Sequence, residues 1–418
     1  MWCHGRLLPP APPLPEAMRA LRNLLFSLLS REWSGQLLAL LVGMVFCAAG
    51  LLAEGLLRSA IEAIGTLVFA TMIVASLRHL FIVSANRRAY PPPGRMVDLD
   101  GYRVHVLAEG QACKGQPAVV WFAGGHTGGL AIHHLHRAIK AKTRSILIDR
   151  PGTGWSDVGP FPRSTAREAQ EVILALERAG ETGPFIWVGH SFGGLLAANV
   201  SRRRPDLVHT LVLLDPTPLE TIVFGPRLGA MRDMQRAAWM SGLGHLFGVD
   251  LRRRAERQMR KSPQLHRVTQ AIEHALGPAA LAARSLEARA GTCFANASIF
   301  EELTPEGVAA CAWETVVYDG DLGDLPVWLV APKDSLDTDI AALPETQAAE
   351  AATARRMMRF FAATRERYLA TSANSRRIVA PQGSGHNFIY EVPEFTLSVI
   401  LEALSQVRRD GRIEQGQG

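Results

Sequence analysis

Six short apolar runs, each closed by Gly, Pro, Ser or Asp, constrain this chain more than any other feature. They are AVVWFAGG (118–125), SILIDRPG (145–152), FIWVGHS (185–191), TLVLLDP (210–216), VWLVAPKD (327–334) and RIVAPQG (377–383). Helical stretches such as 164–180 and 192–203 separate most of them. Short, continuously apolar strands with helices between them predict a parallel sheet covered on both faces. Upstream, MVDLDGYRVHVLAEG alternates apolar and polar residues around Asp100-Gly101, which predicts a β-hairpin. In such sheets the chemistry sits at the carboxyl ends of the strands, so the functional residues are expected just after each run.

The first ninety residues read differently. Residues 1–17 are rich in Pro and small residues and are expected to be disordered, and Met18 is an alternative start. From Trp33 to Ala53 no residue is charged, long enough to span a bilayer core. Glu54, Arg58 and Glu62 mark a polar break, and a second uncharged run covers Ala63 to Leu77. Two transmembrane helices are expected, about 33–53 and 61–83. Arg19, Arg22 and Arg31 precede them and Arg78, Arg87, Arg88 and Arg95 lie at or beyond their end. The positive-inside rule then puts both ends, and the catalytic domain, in the cytoplasm. The net charge of +6 is too spread to argue for nucleic acid. Five Cys without a CxxC read as free thiols in a reducing compartment.

Between Pro216 and about Asp324 the strand pattern gives way to helical sequence, read as an inserted cap. Its basic cluster Arg252, Arg253, Arg254, Arg257, Arg260 and Lys261 fits a solvated helix face, or a lid resting on anionic headgroups. The expected organisation is an N-terminal tail (1–32), a membrane anchor (33–90), a first core segment (91–215), the cap (216–324) and a second core segment (325–410).

Ser191 stands in Gly-x-Ser-x-Gly directly after an apolar strand and before a helix. The turn closes only if the residues two before and two after the Ser lack side chains. It lifts the hydroxyl clear of the sheet and aims a helix N-terminus at a developing oxyanion. A serine hydroxyl needs a base, and His386, in the glycine-rich loop PQGSGHNF, is the candidate. The base needs a carboxylate. Asp334 ends the penultimate strand and gives the order Ser, Asp, His, so it is preferred. Asp215, which ends TLVLLDP, and Asp337 are the alternatives. The oxyanion donors are expected to be the N–H groups of Phe192 and of Gly125, with Gly124 as the alternative to the latter. His126 has a structural or gating role. His133, His134 and His136 lie on a predicted helix without a metal-ligand pattern, so no metal is expected.

Together PPPGRMVDLDGYRVHV, FAGG, DRPGTGWSD (149–157), GHSFGG, LVLLDPTP, APKD and GSGHNFIYEVPE make the chain resemble the α/β-hydrolases of the serine-hydrolase kind, with an added membrane anchor. The resemblance covers about residues 91–405. It implies an α/β-hydrolase fold: a mostly parallel eight-stranded sheet with helices on both faces and a helical cap. It implies hydrolysis of a carboxylic ester without cofactor or metal. It also makes Asp149 a turn-former rather than a catalytic group. The chain has Ala123-Gly124 where many members have His-Gly. Anchor and cap point to a hydrophobic, lipid-derived small-molecule ester as substrate and the bilayer as partner, with no nucleic acid. The alternatives are an acyltransferase or C–C hydrolase on the same triad, or a ligand-binding homologue without turnover.

Overall fold

A computed structural model describes residues 15–112, 115–218, 230–251, 263–304, 317–332, 359 and 363–415. Asp334, Asp337 and the basic cluster 252–261 lie outside the described residues.

The chain opens with three helices: α1 (Glu16–Leu29), α2 (Ser34–Leu51) and α3 (Gly55–Ala89). The hairpin β1 (Arg95–Asp98) and β2 (Arg103–Glu109) follows. Its turn residues Asp100 and Gly101 both have positive φ, which explains the Asp-Gly pair. Next come β3 (Val119–Phe122), α4 (His133–Ile139), β4 (Ser145–Ile148), α5 (Thr165–Ala179), β5 (Phe185–His190), α6 (Phe192–Arg203) and β6 (Val208–Leu214). The described cap helices are α7 (Ala230–Leu246), α8 (Pro263–Leu276), α9 (Pro278–Glu287) and α10 (Ala290–Glu302). The core resumes with β7 (Val327–Pro332), β8 (Ser375–Ala380), the short α11 (Phe388–Glu391) and α12 (Pro393–Gln415).

The eight strands form one sheet in the order β1-β2-β4-β3-β5-β6-β7-β8. The β1–β2 and β2–β4 pairings are antiparallel and the rest parallel. Every residue of β3, β4, β5 and β7 is buried, as expected for a sheet covered on both sides. Alternate residues serve opposite faces. Val120, Phe122, Phe185, Trp187 and Leu211 pack with Val172 and Leu176 of α5 and Leu196 and Val200 of α6. Val119, Trp121, Ile186, Val188 and Val212 pack with Leu135 of α4 and with Val399 and Ile400 of α12.

The apolar helices form an antiparallel hairpin closed by small residues. A Cβ on Gly65 would lie 2.5 Å from that of Phe46, and one on Gly43 3.1 Å from the Phe69 ring. Both α2 and α3 are long and apolar enough to cross a membrane, and most of their surface is exposed. The polar break expected at residues 54–62 is confined to the turn. Arg58 and Glu62 instead form an i,i+4 pair of 2.8 Å that carries α3 through that stretch. Within the expected N-terminal tail, α1 is helical and docks on the cap. Phe26 is fully buried against Phe161, Trp239 and Phe294. Arg22 pairs with Glu301 of α10, and His79 of α3 meets Glu32 at 2.7 Å.

Candidate active site

The strand–turn–helix junction at residues 189–193 has the geometry its glycines predict. Ser191 adopts φ 53°, ψ −121°, a conformation costly for a residue with a side chain. A Cβ on Gly189 would overlap the carbonyl of Gly193, and one on Gly193 would sit 2.6 Å from the Ala123 oxygen. Ser191 thus stands between the end of β5 and the start of α6, whose N-terminus carries unpaired N–H groups and partial positive charge. Its Oγ lies 3.4 Å from the Thr217 hydroxyl, and the Thr217 N–H donates to the Ser191 carbonyl at 3.0 Å.

His386 sits in the loop between β8 and α11. Its Nδ1 lies 2.5 Å from Oδ2 of Asp215, at the end of β6. The Asp215 side chain is 4% exposed and that of His386 40%, so the acid is enclosed while the ring stays reachable. The structure therefore brings His386 together with Asp215, the second of the three acids the sequence offers; Asp334 and Asp337 are outside the described residues. The other Asp215 oxygen, Oδ1, meets the guanidinium of Arg365. Burial lowers the Arg365 pKa to about 10, still high enough to keep it cationic at neutral pH.

His190, beside the Ser, is a residue the sequence did not single out. Its Nε2–H donates to the His386 carbonyl at 3.0 Å, and its ring lies 4.8 Å from that of His386. Burial, with the adjacent His386, pushes its pKa down to about 3. It is a neutral strut that fixes the His386 backbone.

The turn after β3 reaches the same place. A Cβ on Gly124 would lie 3.1 Å from that of Ser191, and Gly125 adopts φ 55°. Arg150, at the end of β4, is buried beneath this turn. Its Nη2 donates to the carbonyls of Ala123 (3.5 Å), Gly125 and Thr127 (3.3 Å), and its guanidinium lies 5.3 Å from the Phe192 ring centroid. One cation thus gathers three carbonyls of the turn. The buried Glu168 lies 3.6 Å from Arg150 and accepts from His126 Nε2 at 2.8 Å. Burial favours the neutral acid, but His126, Arg150 and Arg163 outweigh it and hold the Glu168 pKa at about 2. Burial likewise lowers the pKa of His126, whose role here is structural.

Asp149 acts as a turn-former. It contacts His105 Nδ1 at 3.0 Å and accepts from the N–H groups of Gly129 (2.6 Å) and Trp155 (3.0 Å). The α4 histidines are engaged in packing: His136 meets Glu109 and Ser145 at 2.9 Å each, and His134 the Ile389 carbonyl at 2.8 Å. Among the described residues no cluster of three or more metal-ligating side chains occurs. The cap is fixed to the core near the site. A Cβ on Gly152 would meet that of Ala295 in α10, and the Arg163 N–H donates to Ser298 at 2.9 Å.

This sheet, with its elbow and its helices on both faces, is the α/β-hydrolase fold, and the alpha/beta hydrolase fold family matches residues 117–298. Among solved structures, a hydrolase from Pseudomonas aeruginosa superposes with a TM-score of 0.51 at 17% identity, over 75% of this chain and 99% of that one. Among curated relatives, a "putative carbamate hydrolase", RutD of Klebsiella pneumoniae, is 38% identical over 103 residues, 24% of this chain and 38% of that protein. The human (lyso)-N-acylphosphatidylethanolamine lipase is 33% identical over 96 residues, 22% of this chain and 28% of that protein. The chain spans less than half the length of the curated relatives it matches.

Proposed function

We propose that this chain is a membrane-anchored serine hydrolase that cleaves a carboxylic ester of a hydrophobic, lipid-derived substrate. Ser191 Oγ attacks the ester carbonyl while His386 Nε2 takes its proton. Asp215 holds Nδ1–H, fixing the tautomer and stabilising the imidazolium that forms. The N–H groups of Phe192 and Gly125 bind the tetrahedral oxyanion. His386 then protonates the departing alcohol and activates the water that hydrolyses the acyl-enzyme. Neither metal nor cofactor enters this sequence.

The observation that carries the reading is the 2.5 Å contact between His386 Nδ1 and a buried Asp215, beside a serine held at positive φ. Hydrophobic substrate chemistry draws support from the apolar hairpin, whose Gly35 lies against the Leu246 carbonyl at the end of α7. The lipase relative acts on a lipid, as its name states, which agrees with that choice. A fluorophosphonate probe is expected to label the full chain and to leave Ser191→Ala unlabelled, with esterase turnover lost in the variant. Undiminished turnover by Ser191→Ala overturns the mechanism. A ladder of acyl esters, measured on the protein in lipid nanodiscs, tests the substrate class. A preference for the shortest, most soluble ester contradicts the lipid-derived assignment.

A further inference from the structure

Away from Ser191, a cavity of about 170 Å³ opens where the end of α3, the hairpin strand β2, the loop after β4 and the cap meet. Its polar lining is Asn86, Arg87, Arg103, Asp157, Ser285 and Arg289, with Trp155 as one apolar wall; the Asn86 amide gives one N–H to the Ser285 carbonyl at 2.9 Å and keeps the other. Three of these are arginines and one is a carboxylate. Asp157 is engaged by Arg103, through the backbone N–H at 2.9 Å and Nε at 3.3 Å.

Arg289 is the unusual member. It is 3% exposed. Its guanidinium donates to Thr292 Oγ1 at 3.0 Å and to the carbonyls of Gly154 and Ser156 at 3.1 and 2.8 Å. The carboxylates that act on it from a distance are Glu32, Glu287 and Asp157. Each is committed elsewhere: Glu32 to His79, Glu287 to the Gly128 N–H, Asp157 to Arg103. None forms an ion pair with Arg289 among the described residues. Burial, reinforced by the nearby Arg87, lowers its pKa. Arg87 is exposed at the rim, and no carboxylate pairs with it among the described residues. A buried cation whose nearby carboxylates are each engaged with another group, with a second cation at the cavity mouth, favours an anion in the cavity. Several guanidinium groups with an amide donor suit a phosphate group, which accepts at several oxygens pointing in different directions.

We propose that this cavity binds a phosphate group, held by Arg289 from within, Arg87 and Asn86 from α3 and Arg103 from β2. The group is either a free phosphate or phosphate monoester, or the headgroup of an anionic lipid. The second expected membrane span ends near residue 83, and Arg87 lies four residues further along α3, about 6 Å at its rise per residue. The headgroup layer is about 5–8 Å deep. Arg87 therefore stands at headgroup depth, within reach of either source. Such a ligand joins the anchor helix, the core and the cap at a single point.

Isothermal titration calorimetry on the full chain in nanodiscs of neutral phosphatidylcholine tests the site, at constant ionic strength set with chloride. Inorganic phosphate and glycerol phosphate are the soluble probes. Saturable binding is expected, weakened about tenfold in Arg87→Gln, the loss of one charge-assisted contact. It is expected to be unchanged in Arg88→Gln, an exposed neighbour that does not line the cavity. Nanodiscs containing phosphatidic acid separate the sources. If they abolish phosphate binding, a lipid headgroup occupies the cavity; if binding persists, the ligand is soluble. Either result supports a phosphate site. No saturable binding in neutral nanodiscs, or equal weakening by Arg87→Gln and Arg88→Gln, overturns it. The measurement does not depend on Ser191 chemistry, so it stands or falls apart from the hydrolase reading.

Discussion

In the proposed mechanism two side chains decide whether the site works, and both stand out in the sequence for local reasons. Ser191 is recognisable because crowding at the turn demands glycine on both sides, and His386 because a glycine-rich loop after the last strand presents it. The choice of acid was not legible. Asp215 and Asp334 each close an apolar run, and β6 and β7 are neighbours in the sheet, so sequence position ranks them without locating either against the imidazole. Asp215→Asn is expected to lower kcat by about 10³–10⁴ with KM little changed, because the wrong tautomer of His386 is then held. Steady-state kinetics with Asp334→Asn alongside checks this: if Asp334→Asn carries the large loss, the acid is Asp334. Arg150 and His190 escaped the sequence because their work is done behind the reacting atoms. Arg150→Met removes the donor that gathers the Ala123, Gly125 and Thr127 carbonyls. A fall in kcat of about 10–10³ is expected as the oxyanion turn relaxes. A purely structural Arg150 would instead lower the melting temperature and leave kcat per folded molecule unchanged.

At the scale of elements, the parallel strands and the elbow helix followed from the apolar runs, whereas the N-terminal helices exposed the limits of composition. Pro-rich sequence ahead of α1 hid a helix that buries Phe26 and Leu29, and Arg58 with Glu62 looked like a break but serves as an i,i+4 staple. In α1 the buried ring of Phe26 sits among Phe161, Trp239 and Phe294. Phe26→Ala is expected to cost about 3–5 kcal/mol of the docking energy between α1 and the cap. Limited proteolysis then reads faster cleavage in the segment between α1 and α2. Cleavage at the wild-type rate contradicts the docking role. Leu21, Leu24 and Leu25, on the other face of α1, are exposed, so their replacement by Ser leaves this contact intact.

Over the whole molecule, histidine burial sets the response to acid. His190 and His133 have pKa values lowered to about 3 and about 4, and those of His126, His134 and His136 are also lowered, in each case first by burial. These rings stay neutral in the fold, while the unfolded chain protonates them as the pH falls through about 6.5. Unfolding therefore takes up protons, and stability declines by up to about 1.4 kcal/mol per pH unit for each group in that window. Glu168 acts in the same direction lower down: its stabilisation is present above its unfolded value and fades as the pH approaches about 2. Thermal melting of the full chain is expected to drop steadily between about pH 6.5 and 4.5. A flat profile across that interval contradicts it. The seating of α1 beneath the cap also bears on how this protein is handled. Trimming the first ninety residues in search of a soluble enzyme strips away the partner of Trp239 and Phe294 and leaves an oily floor facing water. Such a truncation invites precipitation, whereas replacing only the exposed apolar side chains of α2 and α3 keeps that floor covered.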